Sequence, residues 1–439
     1  MTHEERKRLI VLVTGANGGI GFGICHRLLI QLSQRRPPDA QPSFTSTLSP
    51  GEPSVVEPAC DLTIIMACRS TQRAEEARQK LYNLLDTHLN SIPPNTPEHE
   101  YATDFRMNVR LEIHRLDLSV IRSVLEFSQE VSQKYPYISH IICNAGLATY
   151  SHLNFLVFFK QCYESPLKAV KHPMFNVQKA GVLSADNLGM VWQCNIFGHY
   201  VLFRSLQPLL SAWTARTRSE PARVLWMSSI DAMATYDPDN DPQLTKTSTS
   251  YQASKAQLDL MVWELNKQSK ANGSEVMHYI ITPGITATNV AAALLRPYVL
   301  ELLMIAFFYF CRFIGSPHVL FSTYKASVAA VHLTLTPSRY IPSTADAHST
   351  TSAKTQPGYG ATMNRNAQLA FPKFSAANER WGKEYVLIEP VTVWEQHPDE
   401  GARAMDRCER LYQAFVEKEK VGIQNGPADG ANGCVNGHA

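Results

Sequence analysis

Tyr251-Gln252-Ala253-Ser254-Lys255 sets a phenol and an ammonium at i and i+4, one helical turn apart on one face and reaching into one site. A tyrosine titrates near 10, so releasing its proton quickly at neutral pH needs a nearby positive charge to stabilise the phenolate left behind. Lys255 is placed to supply that charge. Alone, such a pair arises by chance on many solvated helices; here it follows an apolar run that ends in Ser228-Ser229. A second constellation, Thr14-Gly15-Ala16-Asn17-Gly18-Gly19-Ile20-Gly21, stands where a strand-like run gives way to apolar residues at helical spacing from Ile20 to Leu32. A glycine turn between strand and helix lets backbone N–H groups and the helix dipole face a pyrophosphate, with Gly15, Gly19 and Gly21 as the glycines that matter. Tight turns also use glycine for conformation alone, so the strand and helix on either side carry the dinucleotide-binding reading.

The elements that must position these residues are short. Strand-like runs occur at Leu9 to Val13, Leu62 to Ala67, Val109 to Arg115, Ile138 to Cys143, Arg223 to Met227 and Val276 to Ile281, with helical or irregular stretches between them. Strands alternating with helices predict an α/β fold, a Rossmann-like doubly wound parallel sheet with helices on both faces. An NAD-preferring site of this kind places an acidic residue at the end of the second strand, whereas this strand ends in Cys68-Arg69-Ser70 and favours NADPH. Arg69 would pair with a 2′-phosphate, or simply open, as a solvated arginine, the helix that carries Glu75 and Glu76. Asp61 lies at the wrong end of that strand.

Hydrophobic residues make up 44% of the 439 and charged residues 18%, which argues for a mostly globular chain of one large or two ordinary domains. A net charge of +2 leaves no electrostatic footprint for nucleic acid. The nine cysteines never form a C-x-x-C pair, so neither a disulfide framework nor a metal site is expected, and a reducing, cytosol-facing compartment fits. The charged N-terminus breaks at Thr14-Gly15 too soon for a signal peptide. The expected organisation is a reductase domain over 1–290, with a disordered, six-proline insert near 33–60. A substrate-lid or membrane-docking segment over 291–335, a disordered loop over 336–366, a helical extension over 367–420 and a disordered tail over 421–439 follow. Tyr298 to Phe310 is the most apolar run; it is shorter than the roughly 20 residues a membrane span needs and carries Glu301. It reads either as an interfacial or re-entrant helix or as a buried lid over an apolar pocket.

The glycine turn, Asp117-Leu118-Ser119, Asn144-Ala145-Gly146, Asn195, Ser229 and Tyr251-x-x-x-Lys255, in this order from Arg8 to Thr288, together resemble the short-chain dehydrogenase/reductase superfamily. Within it, Gly189 to Tyr200 and the long insert from Ala148 to Asp186 resemble the fungal 3-keto-steroid reductases of sterol C-4 demethylation. The resemblance implies that Ser229 holds a substrate carbonyl, Tyr251 protonates its oxygen, Lys255 lowers the tyrosine pKa and binds the nicotinamide ribose, and Asn195 holds a relay water. It further implies that Gly15, Asn17, Gly19, Ile20, Gly21, Asn144, Ala145 and Gly146 line the NADPH groove, that Asp117 reaches the adenine, and that Pro283, Gly284 and Thr286 clasp the nicotinamide amide. Each also has a structural alternative: Asn144 as a bridge between strands, Thr286 as a cap. The stretch from Ser229 to Tyr251 is longer than in most of the superfamily, which leaves Ser228 open beside the preferred Ser229.

The implied reaction is NADPH-dependent reduction of a 3-oxo sterol of the zymosterone type to its 3β-alcohol in ergosterol biosynthesis. The implied setting is peripheral or monotopic, on the cytosolic face of the endoplasmic reticulum or on lipid droplets, beside the other C-4 demethylation enzymes. A reductase of another lipophilic ketone, such as a retinoid or a polyketide, and a scaffold role in a sterol-enzyme complex are the alternatives.

Overall fold

The computed structural model describes residues 7–43, 56–58, 60–218, 220–271, 273, 276–286, 298–342, 371–391, 393 and 397–424. Most of the 336–366 loop and of the 421–439 tail, the middle of the 33–60 insert, and Thr288 lie outside them.

β1 (Arg8–Thr14) leads through the glycine turn into α1 (Gly19–Leu32), and β2 (Asp61–Cys68), α2 (Thr71–Asn90), α3 (Pro97–Asn108) and β3 (Arg110–Arg115) follow. α4 (Ile121–Lys134) and β4 (His140–Cys143) precede an inserted arm of β5 (Tyr150–Leu153), α5 (Phe155–Glu164), α6 (Pro166–Lys171) and β6 (Asn176–Gln178). The next helix begins at Met190–Trp192, passes through a π turn at Gln193–Phe197 and continues as α7 (Gly198–Thr217). β7 (Ala222–Met227), α8 (Ser250–Ala271), β8 (Val276–Thr282) and the short β9 (Ile285–Thr286) come next. α9 (Tyr298–Phe313), β10 (Val319–Phe321), α10 (Thr323–Ala326), α11 (Val328–Leu335), β11 (Pro372–Asn378), β12 (Glu384–Pro390) and α12 (Glu400–Gln424) complete the described chain.

Eight strands form one sheet in the order β12-β11-β8-β7-β4-β1-β2-β3, parallel throughout except for the antiparallel β11–β12 edge. This is the Rossmann-like doubly wound sheet the alternation predicts. Its central strands are apolar on both faces because helices cover both: Val11, Leu12, Ile141, Ile142, Val224 and Leu225 are fully buried. The parallel order brings the C-terminal ends of β1, β4, β7 and β8 to one edge, where the loops carrying Gly15, Asn144, Ser229 and Pro283 emerge together.

The C-terminal region is helical in α12, and it also contributes the strands β11 and β12, which the sequence pattern does not announce. Seven consecutive buried residues, Pro-Lys-Phe-Ser-Ala-Ala-Asn, make β11, and neither alternation nor β-branching marks them as a strand. Part of the 33–60 insert is anchored: Asp39 is buried and receives Arg27 Nη2 at 2.8 Å. Among the described residues no helix is long and apolar enough to cross a membrane. α9 instead packs one side on the inserted arm, with Cys311 buried and Phe307 meeting the Phe158 ring, and leaves Tyr309, Phe310 and Phe313 exposed.

Candidate active site

Three positions of the glycine turn require glycine. Gly15 and Gly19 adopt left-handed backbone, φ +70° and +52°, and a Cβ on Gly21 would come within 2.3 Å of the Gly15 carbonyl oxygen. Around Gly18 and Gly19 a Cβ would meet nothing within 4 Å, which leaves the N-terminus of α1 open above the turn. That open cradle of N–H groups fits the pyrophosphate of a dinucleotide. Asn17 and Ile20 are part-exposed on it, and the Asn17 and Ala16 amides also hydrogen-bond the buried Cys68. Arg69 is exposed where β2 ends, and no acidic residue stands beside it in the sequence.

Asn144 stitches the turn to β4. Its backbone N–H and that of Ala145 both donate to Thr14 Oγ1 at 2.9 Å, and its Nδ2 donates to the Thr14 carbonyl at 2.9 Å. Asn144 thus bridges β1 and β4 and packs against the turn, since a Cβ on Gly21 would lie 2.7 Å from its Nδ2. Thr14 Oγ1 also meets His199 Nε2 at 3.0 Å; burial and then Lys255 push that imidazole down to about 3, so it stays neutral. Gly146 is exposed, and a Cβ there would be 3.1 Å from Asn195 Oδ1 and 3.6 Å from Lys255 Nζ. Asp117 spends one carboxylate oxygen on its own loop, accepting from Ser119 N at 3.0 Å and Ser119 Oγ at 2.6 Å.

Asn195 sits inside the π turn, a distortion that aims one side chain away from the regular helix face. Its Oδ1 accepts from Leu147 N at 2.8 Å, while Nδ2 donates to Leu147 O and Ser254 Oγ, both at 3.0 Å. On α8, Lys255 is buried and its ammonium donates to the Met227 carbonyl at 2.7 Å, 5.7 Å from the Tyr251 ring centre. Burial lowers the Lys255 pKa to about 8, against the attraction of Asp259 and with the repulsion of Lys373. Burial raises the Tyr251 pKa, a hydrogen bond from Ser229 offsets part of that, and Asp231 adds to it. The phenol is therefore protonated at neutral pH, on a residue that is part-exposed.

The two serines separate. Ser229 is part-exposed and bonds Tyr251, with its Oγ accepting from Asp231 N at 3.1 Å. Ser228 is buried, and its hydroxyl has no hydrogen-bond partner among the described residues. Pro283, Gly284 and Thr286 leave β8 beside them. Gly284, at φ +68°, is pressed so closely that a Cβ would be 2.7 Å from the His318 carbonyl oxygen. β9 pairs with β10 there, so Thr286 lies in register with Phe321.

Four groups that the sequence motifs do not reveal support this centre. Gln178 Oε1, from the inserted arm, accepts from Tyr251 N at 2.9 Å and Ser250 Oγ at 3.1 Å, satisfying the first turn of α8. Gln178 Nε2 donates to Gln252 Oε1 at 2.6 Å, and Gln252 Nε2 donates to Asp231 Oδ2 at 2.9 Å. His172 Nδ1 lies 2.9 Å from Asp231 Oδ1. The arm is thereby bound to the residues flanking both Ser229 and Tyr251. Among the described residues no cluster of His, Cys, Asp and Glu has the makings of a metal site.

No protein-family model matches the chain. It is 29% identical over 412 residues to the 3-keto-steroid reductase of Schizosaccharomyces pombe, an alignment that covers 94% of this chain and 98% of that one. The 3-keto-steroid reductase of Kluyveromyces lactis is 29% identical over 325 residues, covering 74% and 80%. Among solved structures, the L-sorbose reductase of Gluconobacter frateurii complexed with NADPH and L-sorbose is 14% identical, with a TM-score of 0.44 and coverage of 76% and 91%. The curated relatives agree with the resemblance that the motifs carry.

Proposed function

We propose that this chain, similar to curated 3-keto-steroid reductases and to one of them over 94% of its length, is an NADPH-dependent oxidoreductase that converts the 3-oxo group of a sterol to the 3β-alcohol. The observation that carries the reading is Tyr251, a protonated, part-exposed residue joined to Ser229 and backed by Lys255, with Ser229 at the same sheet edge as the open glycine cradle. NADPH held over the glycine turn at Gly15, Gly19 and Gly21 would supply the hydride for the carbonyl carbon. The residues of the chain handle the oxygen. Ser229 donates to the carbonyl oxygen and holds it at the phenol; Tyr251 gives that oxygen its proton, and the phenolate left behind is stabilised by Lys255 until solvent returns a proton. Arg69 and the absence of an acid at the end of β2 support the phosphorylated cofactor.

The reading extends to the membrane. Leu156, Phe159 and Tyr163 of α5 are 85%, 66% and 92% exposed, and Tyr309, Phe310 and Phe313 of α9 add to the same apolar arm. Exposed apolar helices next to the mouth of a site support shallow docking on a bilayer or lipid-droplet surface, from which a sterol enters without crossing water. The endoplasmic reticulum and the lipid droplet, with the other sterol C-4 demethylation enzymes as neighbours, form the proposed setting.

The test is NADPH oxidation with a 3-keto sterol in detergent micelles, with the product resolved by chromatography and NADH as the comparison cofactor. The expected result is 3β-alcohol formed with NADPH in clear preference to NADH. Turnover of a retinoid or polyketide ketone without any turnover of 3-keto sterols would replace the sterol reading with the other-ketone one.

A further inference from the structure

We propose that Lys373 of the C-terminal strand β11 is a positioning residue for the catalytic pair: by holding Asp259 and the Ser229 carbonyl, it keeps Asp259 from capturing Lys255. The inference rests on the reading of Tyr251 and Lys255 as the proton-donating pair. Tyr251, Lys255 and Asp259 stand at i, i+4 and i+8, so one face of α8 carries phenol, ammonium and carboxylate in a row. A buried carboxylate one turn from a buried ammonium is a competitor for it. In the structure Lys255 instead donates to the Met227 carbonyl at 2.7 Å, and Asp259 is paired elsewhere. Its partner is Lys373 Nζ, 2.7 Å from Asp259 Oδ2, in a pair whose side chains are 10% and 1% exposed.

Sheet register delivers this lysine. Lys373 lies level with Ile280 of β8, and Ile280 with Trp226 of β7, so its side chain reaches just beyond the end of β7. There Nζ also donates to the Ser229 carbonyl at 2.8 Å. One ammonium thus touches the backbone of the serine and the carboxylate that follows the catalytic lysine. Asp259 Oδ1 has no hydrogen-bond partner among the described residues, so without Lys373 the carboxylate would be left buried and bare. The groups that face Lys255 are Tyr251 and Asp259 on its own helix, Cys143 from β4, neutral His199 from α7 and Lys373 from β11. Burial, then Asp259 and Lys373 in opposite senses, set its protonation.

The two charges therefore make opposite predictions. In Lys373→Met, repulsion is lost and Asp259 attracts Lys255, so the alkaline limb of kcat for ketone reduction moves up by about one pH unit. Lys255 is also drawn one turn from the phenol, and kcat falls about ten-fold. In Asp259→Asn the limb moves down. The double variant Lys373→Met/Asp259→Asn, which removes both charges and so leaves none bare, returns the limb close to wild type and recovers most of kcat. Titration of Lys255 in the same four proteins by ¹⁵N-lysine NMR reads the shift without turnover, so failure of the sterol assignment stays distinguishable. Limbs or lysine titrations that stay at the wild-type pH in both single variants, or move in the same direction, would overturn the proposal. So would a folded double variant no more active than Lys373→Met.

Discussion

Lys255 shows why the catalytic residues cost stability. Its pKa falls from 10.5 in the unfolded chain to about 8 in the native state, a shift equivalent to about 3 kcal/mol of penalty while both states carry the proton. That penalty is complete below pH 8 and fades between pH 8 and 10.5, where only the unfolded chain stays charged. Lys255→Met is therefore expected to lose activity by about 10²-fold and yet to unfold at higher denaturant than wild type at pH 7. Denaturant titrations at pH 7 and pH 10 check this, because the advantage should shrink at the higher pH. The serines give a second contrast. Ser229→Ala removes a hydroxyl bonded to Tyr251 and should lower kcat by about 10²-fold, whereas Ser228→Ala removes a hydroxyl with no partner among the described residues and should change kcat by less than about two-fold. Steady-state kinetics of both variants decide it. The motif residues were legible in the sequence because residue type and local spacing carry their chemistry. Lys373 and Gln178 were not, because they reach the site across 114 and 73 positions of chain that no local pattern connects.

At the scale of elements, the parallel strands were legible from apolar runs alternating with helices, and their ends moved by only a residue or two. β11 was hidden because a strand covered on both faces by close-packed helices and neighbouring strands can use Ser, Ala and Asn, which carry no strand signature. The π turn at Gln193–Phe197 was equally silent, since its sequence reads as ordinary helix. The turn after β8 is the element most sensitive to a small change. Gly284→Ala would force a side chain onto left-handed backbone and into the His318 carbonyl, so a loss of about 1–3 kcal/mol is expected. Thermal melts with and without NADPH check it: the variant should melt lower and gain less from the cofactor if the turn also forms part of the cofactor site.

For the whole molecule, the sequence pattern places the end of the reductase unit near residue 290, yet its sheet closes only with β11 and β12. α12 fastens this region back onto α7, with Tyr200 Oη and Arg204 Nε donating to Glu409 at 2.7 and 2.8 Å and Phe415 against the Phe197 ring. A chain cut after residue 342 would expose the β8 edge and lose Lys373, and is expected to aggregate on expression. The apolar arm makes a separate prediction. Changing Leu156, Phe159 and Phe310 together to serine should abolish flotation with phosphatidylcholine vesicles while leaving reduction of a detergent-dispersed ketone within about three-fold, because none of the three touches the catalytic centre. Whether Tyr251 protonates the oxygen of a sterol ketone is decided by NADPH consumption with zymosterone for wild type and Tyr251→Phe, alongside NADPH affinity by fluorescence. Turnover by wild type, a fall of about 10²–10⁴-fold in the variant and unchanged cofactor binding are the expected result. A Tyr251→Phe protein that still reduces the sterol at the wild-type rate, or a folded, NADPH-binding wild type that turns over no 3-keto sterol, would contradict it.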